Sequence, residues 1–303
     1  MRGKLLITGG RGFVAGHILR SVPLDYEIYV LSREENPIDI LQSNVRWIRV
    51  SKNSYEEWGE VIEEVKPTTI IHTSAMADID QCQKDKQTAY SVNVELTKVL
   101  VKASEKCRAR FIFCSSDTVF DGNKGMYTEE DTPIPVNYYA ETKIESEKLV
   151  LNSDTPRVVA RISLVMGFPA FRTIGNSFMA RMEQKIKSGE PVPMPQDEYR
   201  TPIDVYTLSE ALVELALSSD YEGILHLSGN ERISRYNMAI MICEEMNWDK
   251  NCIVPSIVDN PTRAPRPKDA SLNNSRARAI LKTEFLNVVG GIRRLKEEYL
   301  RNK

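Results

Sequence analysis

The sequence is poor in the residues that build metal centres and disulfide frameworks. It has 3 histidines and 5 cysteines in 303 residues, and neither set shows the close spacing of metal ligands. Cysteines that are scattered and odd in number are more typical of small buried residues in a reducing compartment. We therefore expect no metal site and structural roles for His17, His72 and His226.

Long basic runs and long apolar runs are also absent. The formal net charge is -2, and no positive cluster of the kind that binds nucleic acid is visible. No stretch of about 18 apolar residues could span a membrane. The N-terminal residues MRGKLLITGG begin a strand pattern and do not resemble a signal sequence. These features predict a cytoplasmic protein that acts on small molecules, with no nucleic-acid or membrane partner.

Short β-rich segments alternate with segments of helical periodicity. The predicted strands are KLLIT, EIYVLS, VRWIRV, TTIIHTS, RFIFCSS, RVVARISLV and GILHLS. Several of them are apolar on both alternate positions, as expected when helices cover both faces of a parallel sheet. The pattern predicts an α/β fold with a doubly wound parallel sheet of the Rossmann type, and it is too irregular for a barrel.

The regular alternation ends soon after the sixth predicted strand, which suggests a second unit. A chain of this length exceeds the usual size of one compact domain. We expect a dinucleotide-binding domain over residues 1–168, to which residues 204–229 return. Residues 169–203 and 230–303 would then form a smaller C-terminal substrate-binding domain.

A glycine-rich segment, TGGRGFVAGHIL, follows the first predicted strand and opens a predicted helix. Gly9 and Gly12 keep the spacing of a phosphate-binding loop, Ala15 holds the third small position, and Gly16 follows it. Such a loop brings main-chain N–H groups and the positive end of a helix to a pyrophosphate. The loop residues expected to bind a dinucleotide are Gly9, Arg11, Gly12, Phe13 and Val14.

The end of the second predicted strand indicates which dinucleotide is bound. An NAD site commonly has an acidic residue there, but this strand ends in Leu31, Ser32 and Arg33. Arg33 could pair with a 2′-phosphate, and Arg11 could close on the same group. We therefore expect NADP(H), with NAD(H) as the alternative. Both arginines could instead be solvated loop charges.

The segment NYYAETKIESE contains Tyr139 and Lys143, which are four residues apart. This spacing places both side chains on one face of a helix. Tyrosine has a pKa near ~10, and a neighbouring lysine together with an oxidised nicotinamide would lower it, which makes the phenol a usable acid. Ser116, at the end of the fifth predicted strand, is the candidate for holding the reacting oxygen. Tyr138 is interpreted as a packing residue. In the alternative interpretation, Tyr139 and Lys143 are ordinary helix residues and Ser116 is a strand-end cap.

Together these motifs resemble an extended short-chain dehydrogenase/reductase. The segments SSDTVFDG, MYTEEDTPIPVNYYAETKIESE, RISLVMG, GILHLSG, ISRYNMA and RPKDASL are more narrowly similar to dTDP-4-dehydrorhamnose reductases and their sugar-nucleotide relatives. The resemblance spans nearly the whole chain. It implies NADPH-dependent reduction of a 4-keto sugar nucleotide.

The resemblance also implies roles for single residues. Tyr139 would donate a proton to the ketone oxygen, and Lys143 would lower the pKa of Tyr139 and bind the nicotinamide ribose. Ser116 would hydrogen-bond the substrate oxygen, and Asp117 would help to place the substrate unless it is only a turn residue. Asn93 in AYSVNVEL matches an asparagine that supports the lysine.

Further residues fit the resemblance less uniformly. Ser74 and Ala75, at the end of the fourth predicted strand, are expected at the cofactor. Arg200 in YRTPIDV resembles an arginine near the substrate diphosphate. Leu164 stands where the family's reductases usually have a tryptophan, and Met76 stands near a family tyrosine. These two departures leave the identity of the sugar open.

Two other functions remain open at this point. One is a sugar-nucleotide epimerase or dehydratase of the same superfamily, although Asp117 is followed by Thr118 where dehydratases typically have a glutamate. The other is a non-catalytic NADP-binding subunit similar to the methionine adenosyltransferase β subunit. A complete set of Ser116, Tyr139 and Lys143 favours an enzyme. A homodimer is also open.

Overall fold

A computed structural model describes residues 2–36, 43–51, 54–171, 177–257 and 263–301. The strands within these ranges are β1 (Lys4–Thr8), β2 (Glu27–Ser32), β3 (Val45–Arg49), β4 (Thr69–His72), β5 (Arg110–Ser116), β6 (Arg157–Ile162), β7 (Val165–Met166), β8 (Val192–Pro195), β9 (Tyr199–Arg200), β10 (Ile203–Asp204), β11 (Gly223–Leu227), β12 (Ile233–Ser234) and β13 (Ile253–Ser256). Each of the seven strands predicted from the sequence overlaps one of them.

The α-helices alternate with these strands. They are α1 (Phe13–Ser21), α2 (Glu56–Val65), α3 (Ile79–Lys84), α4 (Lys86–Tyr90), α5 (Leu96–Cys107), α6 (Tyr138–Leu151), α7 (Phe178–Lys187), α8 (Val205–Leu217), α9 (Arg235–Met246), α10 (Ser275–Ile280) and α11 (Val288–Arg301). A π-helical turn covers Ser91–Glu95, and short 3₁₀ turns cover Asp117–Val119 and Lys250–Cys252. None of the helices in the described ranges is long and apolar enough to cross a membrane.

Within the described ranges the central sheet has seven strands in the order β11-β6-β5-β4-β1-β2-β3, and every neighbouring pair is parallel. The chain order reverses between β1 and β4, so the carboxyl ends of these two strands flank a crevice. In open α/β sheets such a switch point is where ligands bind. The predicted doubly wound Rossmann-type sheet is confirmed.

Helices cover both faces of this sheet. Leu5 and Ile7 of β1 pack with residues of α1 and α8, whereas Leu6 between them packs with residues of α2 and α5. Successive side chains of a strand point to opposite faces, so an uninterrupted apolar strand requires two apolar layers. This packing explains why the strand segments are apolar at both alternate positions.

A third apolar cluster lies beside the carboxyl edge of the sheet. It joins residues of α7, α9 and α11 with β8 and β13, which pair with each other in a separate two-stranded sheet. Strand β11 returns to the central sheet beside β6. The two-domain division at the predicted boundaries stays a prediction.

Candidate functional site

The loop between β1 and α1 is built so that glycine is required at two adjacent positions. Gly9 has a φ of +74°, and a Cβ on it would lie 2.9 Å from Ser74 Oγ. A Cβ on Gly10 would lie 2.2 Å from a methyl carbon of Val30. The N–H of Gly12 donates to the carbonyl of Gly9 at 2.7 Å, which closes the turn. Gly10 is not among the residues predicted from the sequence, since its only signal is its place inside the loop.

The turn aims the N-terminus of α1 into a cavity. Helix α1 starts at Phe13, its N-cap Gly12 has no side chain to satisfy the first N–H groups, and its first turn has no acidic residue. Gly12, Phe13 and Val14 line the cavity as predicted, whereas Gly9 and Ser74 pack against each other behind the loop. Unsatisfied N–H groups and the helix dipole favour an anionic group at this position.

The end of β2 differs from the sequence-based expectation. Arg33 is exposed, and the buried Ser32 accepts a hydrogen bond from the N–H of Glu34 at 3.2 Å. The guanidinium of Arg11 pairs with the Glu34 carboxylate at 3.1 Å. The prediction considered Leu31, Ser32 and Arg33 and missed the next residue, Glu34, which pairs with Arg11 of the glycine loop. Arg11 is therefore bound to an acid in this structure.

Tyr139 and Lys143 lie in the first turns of α6, which begins after Asn137. The Asn137 side chain accepts a hydrogen bond from the N–H of Ala140 and thereby caps the helix. Both Tyr139 and Lys143 are buried and line the cavity. The Lys143 ammonium donates to the carbonyl of Cys114 at 2.7 Å. The predicted pairing of the two side chains on one helix face is therefore present.

The surroundings of this pair shift both pKa values in the protein alone. Burial raises the pKa of Tyr139, Cys82 raises it further, and the Ser116 hydroxyl lowers it. The physical reason for the rise is the loss of solvation of the phenolate. Burial also lowers the pKa of Lys143 to about 8. The expected lowering of the tyrosine pKa by Lys143 together with an oxidised nicotinamide stays a prediction.

Ser116 and Asp117 continue the cavity wall from β5. Ser116 Oγ lies 2.9 Å from Thr118 Oγ1 and donates to Asp117 at 3.2 Å, and it also caps the following 3₁₀ turn. Asp117 is buried, accepts a hydrogen bond from Ser163 at 3.2 Å and lies 3.5 Å from Arg200 Nε. Burial raises the pKa of Asp117, although Arg200 opposes the shift. Asp117 is therefore more than a solvated turn residue.

Asn93 lies in the π-helical turn and supports the site indirectly. Its Oδ1 accepts from the N–H of Met76 at 2.8 Å, and its Nδ2 donates to Thr142 Oγ1 at 2.9 Å. Among the described residues no hydrogen bond joins Asn93 directly to Lys143, and the expected support of the lysine by Asn93 stays a prediction. Asn93 instead fixes Thr142, the residue before Lys143.

Charged side chains also line the cavity. Glu198 lies 3.1 Å from Arg200 and 3.3 Å from Arg235, and Arg266 lies 2.9 Å from Asp80. Arginine neighbours hold the pKa of the Glu198 carboxyl below its usual range in spite of burial. Among these charged residues, only Arg200 is predicted from the sequence. Arg235 and Arg266 lie in ISRYNMA and RPKDASL, segments that carried the resemblance without a role for either arginine.

One cavity of about 720 Å³ brings these groups together. Among the predicted residues, those that line it are Gly12, Phe13, Val14, Ala75, Ser116, Asp117, Tyr139, Lys143 and Arg200, and those that do not are Gly9, Arg11, Ser32, Arg33, Ser74 and Asn93. Leu164 also lines the cavity, while Met76 does not. Within the described part of the chain, no group of three or more His, Cys, Asp or Glu residues could hold a metal ion.

The fold and the cavity define the class: a doubly wound α/β protein with a phosphate-type glycine loop and a buried tyrosine–lysine pair. The family follows from a comparison of sequences. The model of the RmlD substrate binding domain matches residues 3–299, and the chain belongs to this family.

The chain is similar to methionine adenosyltransferase β subunits and to dTDP-4-dehydrorhamnose reductases. The chain is 32% identical over 222 residues to the methionine adenosyltransferase 2 subunit beta of Rattus norvegicus, a match that covers 71% of this chain and 66% of that protein. The crystal structure of a hypothetical dTDP-4-dehydrorhamnose reductase from Sulfolobus tokodaii is 30% identical, with a TM-score of 0.82 over 95% of this chain and 98% of that one. A dTDP-4-dehydrorhamnose reductase from Bacillus anthracis, solved in complex with NADP, has the same fold at 24% identity, with a TM-score of 0.85 over 98% of this chain and 100% of that one.

Proposed function

We propose that the protein is an NADPH-dependent reductase of a 4-keto sugar nucleotide. The observation that carries the proposal is the cavity itself. It holds the N-terminus of α1, the Ser116, Tyr139 and Lys143 set, and the cavity-lining arginines within one space. A dinucleotide, a ketone and a diphosphate are the three chemical groups that these surfaces would recognise.

The residues present fit a dinucleotide. The glycine loop leaves no room for a Cβ at Gly10, and the N-terminus of α1 offers unsatisfied N–H groups to a pyrophosphate. Arg33 is exposed and available to a 2′-phosphate, which favours NADP(H), while Glu34 could accept the 2′-hydroxyl of NAD(H). NADP is the ligand of the Bacillus anthracis relative. When bound, the reduced cofactor supplies the hydride.

The proton would come from Tyr139. The phenol holds a proton at neutral pH and would donate it as negative charge develops on the carbonyl oxygen, and Lys143 with the oxidised nicotinamide would offset the rise in the tyrosine pKa that burial causes. Ser116, which lines the same cavity as Tyr139, would hold that oxygen. Lys143, with a pKa near 8, would hold the ribose and help to restore the proton. Asp117 would keep Ser116 in place through their mutual hydrogen bond.

The arginines suit the diphosphate of a nucleotide sugar. Arg200 and Arg235 share the Glu198 carboxylate, and their guanidinium forks could bind phosphate oxygens. A dehydration would need a base that removes a carbon-bound proton. Thr118, next to Asp117, has a hydroxyl that titrates far above neutrality and cannot act as that base. We therefore favour reduction over dehydration.

The experiment compares two substrates with the purified protein. It is incubated with dTDP-glucose alone and, separately, with the 4-keto-6-deoxy product of dTDP-glucose plus NADPH. We expect NADPH oxidation that is stoichiometric with the product in the second mixture, and no change in the first. Loss of water from dTDP-glucose would refute the proposal. Tyr139→Phe is the matched control for background oxidation.

A second candidate function is that of a regulatory subunit without turnover. It is favoured by the 32% identity to a methionine adenosyltransferase subunit, of whose length the chain spans 66%. Inertness toward a panel of keto sugar nucleotides, together with tight NADPH binding, would move the assignment to this candidate. Co-purification with a methionine adenosyltransferase catalytic subunit would then test it.

A further inference from the structure

A buried ion pair lies behind the cavity wall. The side chains of Glu147 and Arg161 are 3% and 2% exposed. Arg161 Nη2 lies 2.8 Å from Glu147 Oε2, and Arg161 Nε lies 3.1 Å from Oε1, so the contact is bidentate. Ser115 Oγ donates a third hydrogen bond to the same carboxylate at 2.5 Å. The pair has no part in the reaction proposed above.

The pair joins the elements that carry the reactive side chains. Glu147 lies on α6 one helical turn after Lys143, so the two side chains share a helix face. Ser115 precedes Ser116 at the end of β5. Arg161 lies on β6, two residues before Ser163, which donates to Asp117. One carboxylate therefore connects α6, β5 and β6.

Stability alone is a weak explanation for this arrangement. Two charges lose much of their hydration on burial, and well-packed apolar residues at such places are often as stable as the ion pair. Within the described residues, Arg161 Nη1 also has no hydrogen-bond partner, which adds to the cost. The pair is therefore better explained by the orientation that it gives to α6, β5 and β6.

We propose that Glu147 and Arg161 are positioning residues, which hold α6 against β5 and β6 and fix the ammonium of Lys143 at the cavity wall. The Lys143 ammonium lies 4.1 Å from the centre of the Phe113 ring, and the titratable groups near it on other elements are Cys114 on β5, Cys82 on α3 and His72 on β4. Burial raises the pKa of Cys82 and Cys114 to about 11 and 12, and it lowers that of His72 to about 3. These three are uncharged at neutral pH, so Glu147 and its partner supply the nearby buried charge.

The test is the titration of Lys143, which needs no substrate. Its side-chain NMR signal is followed against pH in protein with isotope-labelled lysine, with Lys143→Arg as the assignment control. Glu147→Gln leaves the Arg161 cation unbalanced, and we expect the pKa of Lys143 to fall by about 1 unit. Arg161→Met leaves the carboxylate unbalanced and should raise that pKa. In the double variant the two charge effects cancel, so a remaining shift of the Lys143 titration reports the loss of positioning.

The opposite signs separate positioning from a general structural role. If both single variants shifted the titration in the same direction, or if the Glu147→Gln titration matched wild type, the proposal would be overturned. Arg157→Met is the matched control, because Arg157 lies on the same strand and pairs with the half-exposed Glu222. It should leave the Lys143 titration unchanged. If a single variant fails to fold, the double variant decides: a Lys143 titration that matches wild type in that folded protein overturns the proposal.

The positioning role of Glu147 and Arg161 rests on the proposed function only where it predicts a change in the rate of ketone reduction. In the reductase assay, Glu147→Gln should lower kcat more than it raises the KM for the keto sugar, since the cavity-lining arginines are untouched. A protein that shows the opposite titration shifts but no reductase activity would refute the proposed function and leave the positioning role intact.

Discussion

Acidification from pH 7 to pH 5 should destabilise the folded protein through its three histidines. His72 is buried, and its two ring nitrogens lie 2.7 Å and 3.0 Å from hydroxyl oxygens of Thr8 and Thr97. His17 and His226 are also buried. Burial lowers the pKa of His72 and His226 to about 3 and that of His17 to about 4.

The sign and the size of the effect follow from linkage. The unfolded chain has histidine pKa values near ~6.5, so between pH 6.5 and the depressed folded values the unfolded state binds more protons. The stabilising contribution is complete above pH 6.5 and is lost as the pH falls. At pH 5 each histidine costs about 2 kcal/mol, and the three together cost about 6 kcal/mol. A typical domain is stable by only ~5–15 kcal/mol.

The assay is urea unfolding of wild type and His72→Gln at pH 7 and at pH 5. Glutamine can still contact both threonines but does not titrate, so the variant should lose about 2 kcal/mol less than wild type between the two pH values. Contributions from carboxyl groups are common to both proteins and cancel in this comparison. An equal loss in the two proteins would refute the claim that His72 is buried and neutral.

Three further predictions concern the site and its loop. Tyr139→Phe should lower kcat by about 10²–10⁴-fold with NADPH binding retained, while Tyr138→Phe should be mild; similar rates for the two variants would refute the choice of acid. Arg33→Ala should reduce the preference for NADPH over NADH in fluorescence titrations. An unchanged preference would show that Arg33 is a solvated loop charge that does not bind the 2′-phosphate. Gly10→Ala should lower the free energy of unfolding by about 1–3 kcal/mol, because the new Cβ meets Val30 at 2.2 Å, and a neutral result in urea unfolding would show that the loop can move.

Much of the framework was readable from local patterns. Alternating and uninterrupted apolar runs predicted the strands of the central sheet, because side-chain direction repeats every two residues along a strand. The place of Gly9 and Gly12 between a strand and a helix predicted the turn at the N-terminus of α1. The four-residue spacing of Tyr139 and Lys143 predicted their common face, since that spacing is a property of the helix alone.

Tertiary structure decided the partners and the ionisation of these groups. Burial raises the pKa of Tyr139, and the spacing of residues along a helix does not predict how deeply a phenol is buried. Arg11 meets Glu34 only because the turn after β2 comes back to the glycine loop. Glu198, Arg235 and Arg266 come from three separate segments of the sequence, and only the tertiary fold brings them together in the lining of one cavity. Charges interact through space, so the sequence specifies which charges exist and the fold decides which of them meet.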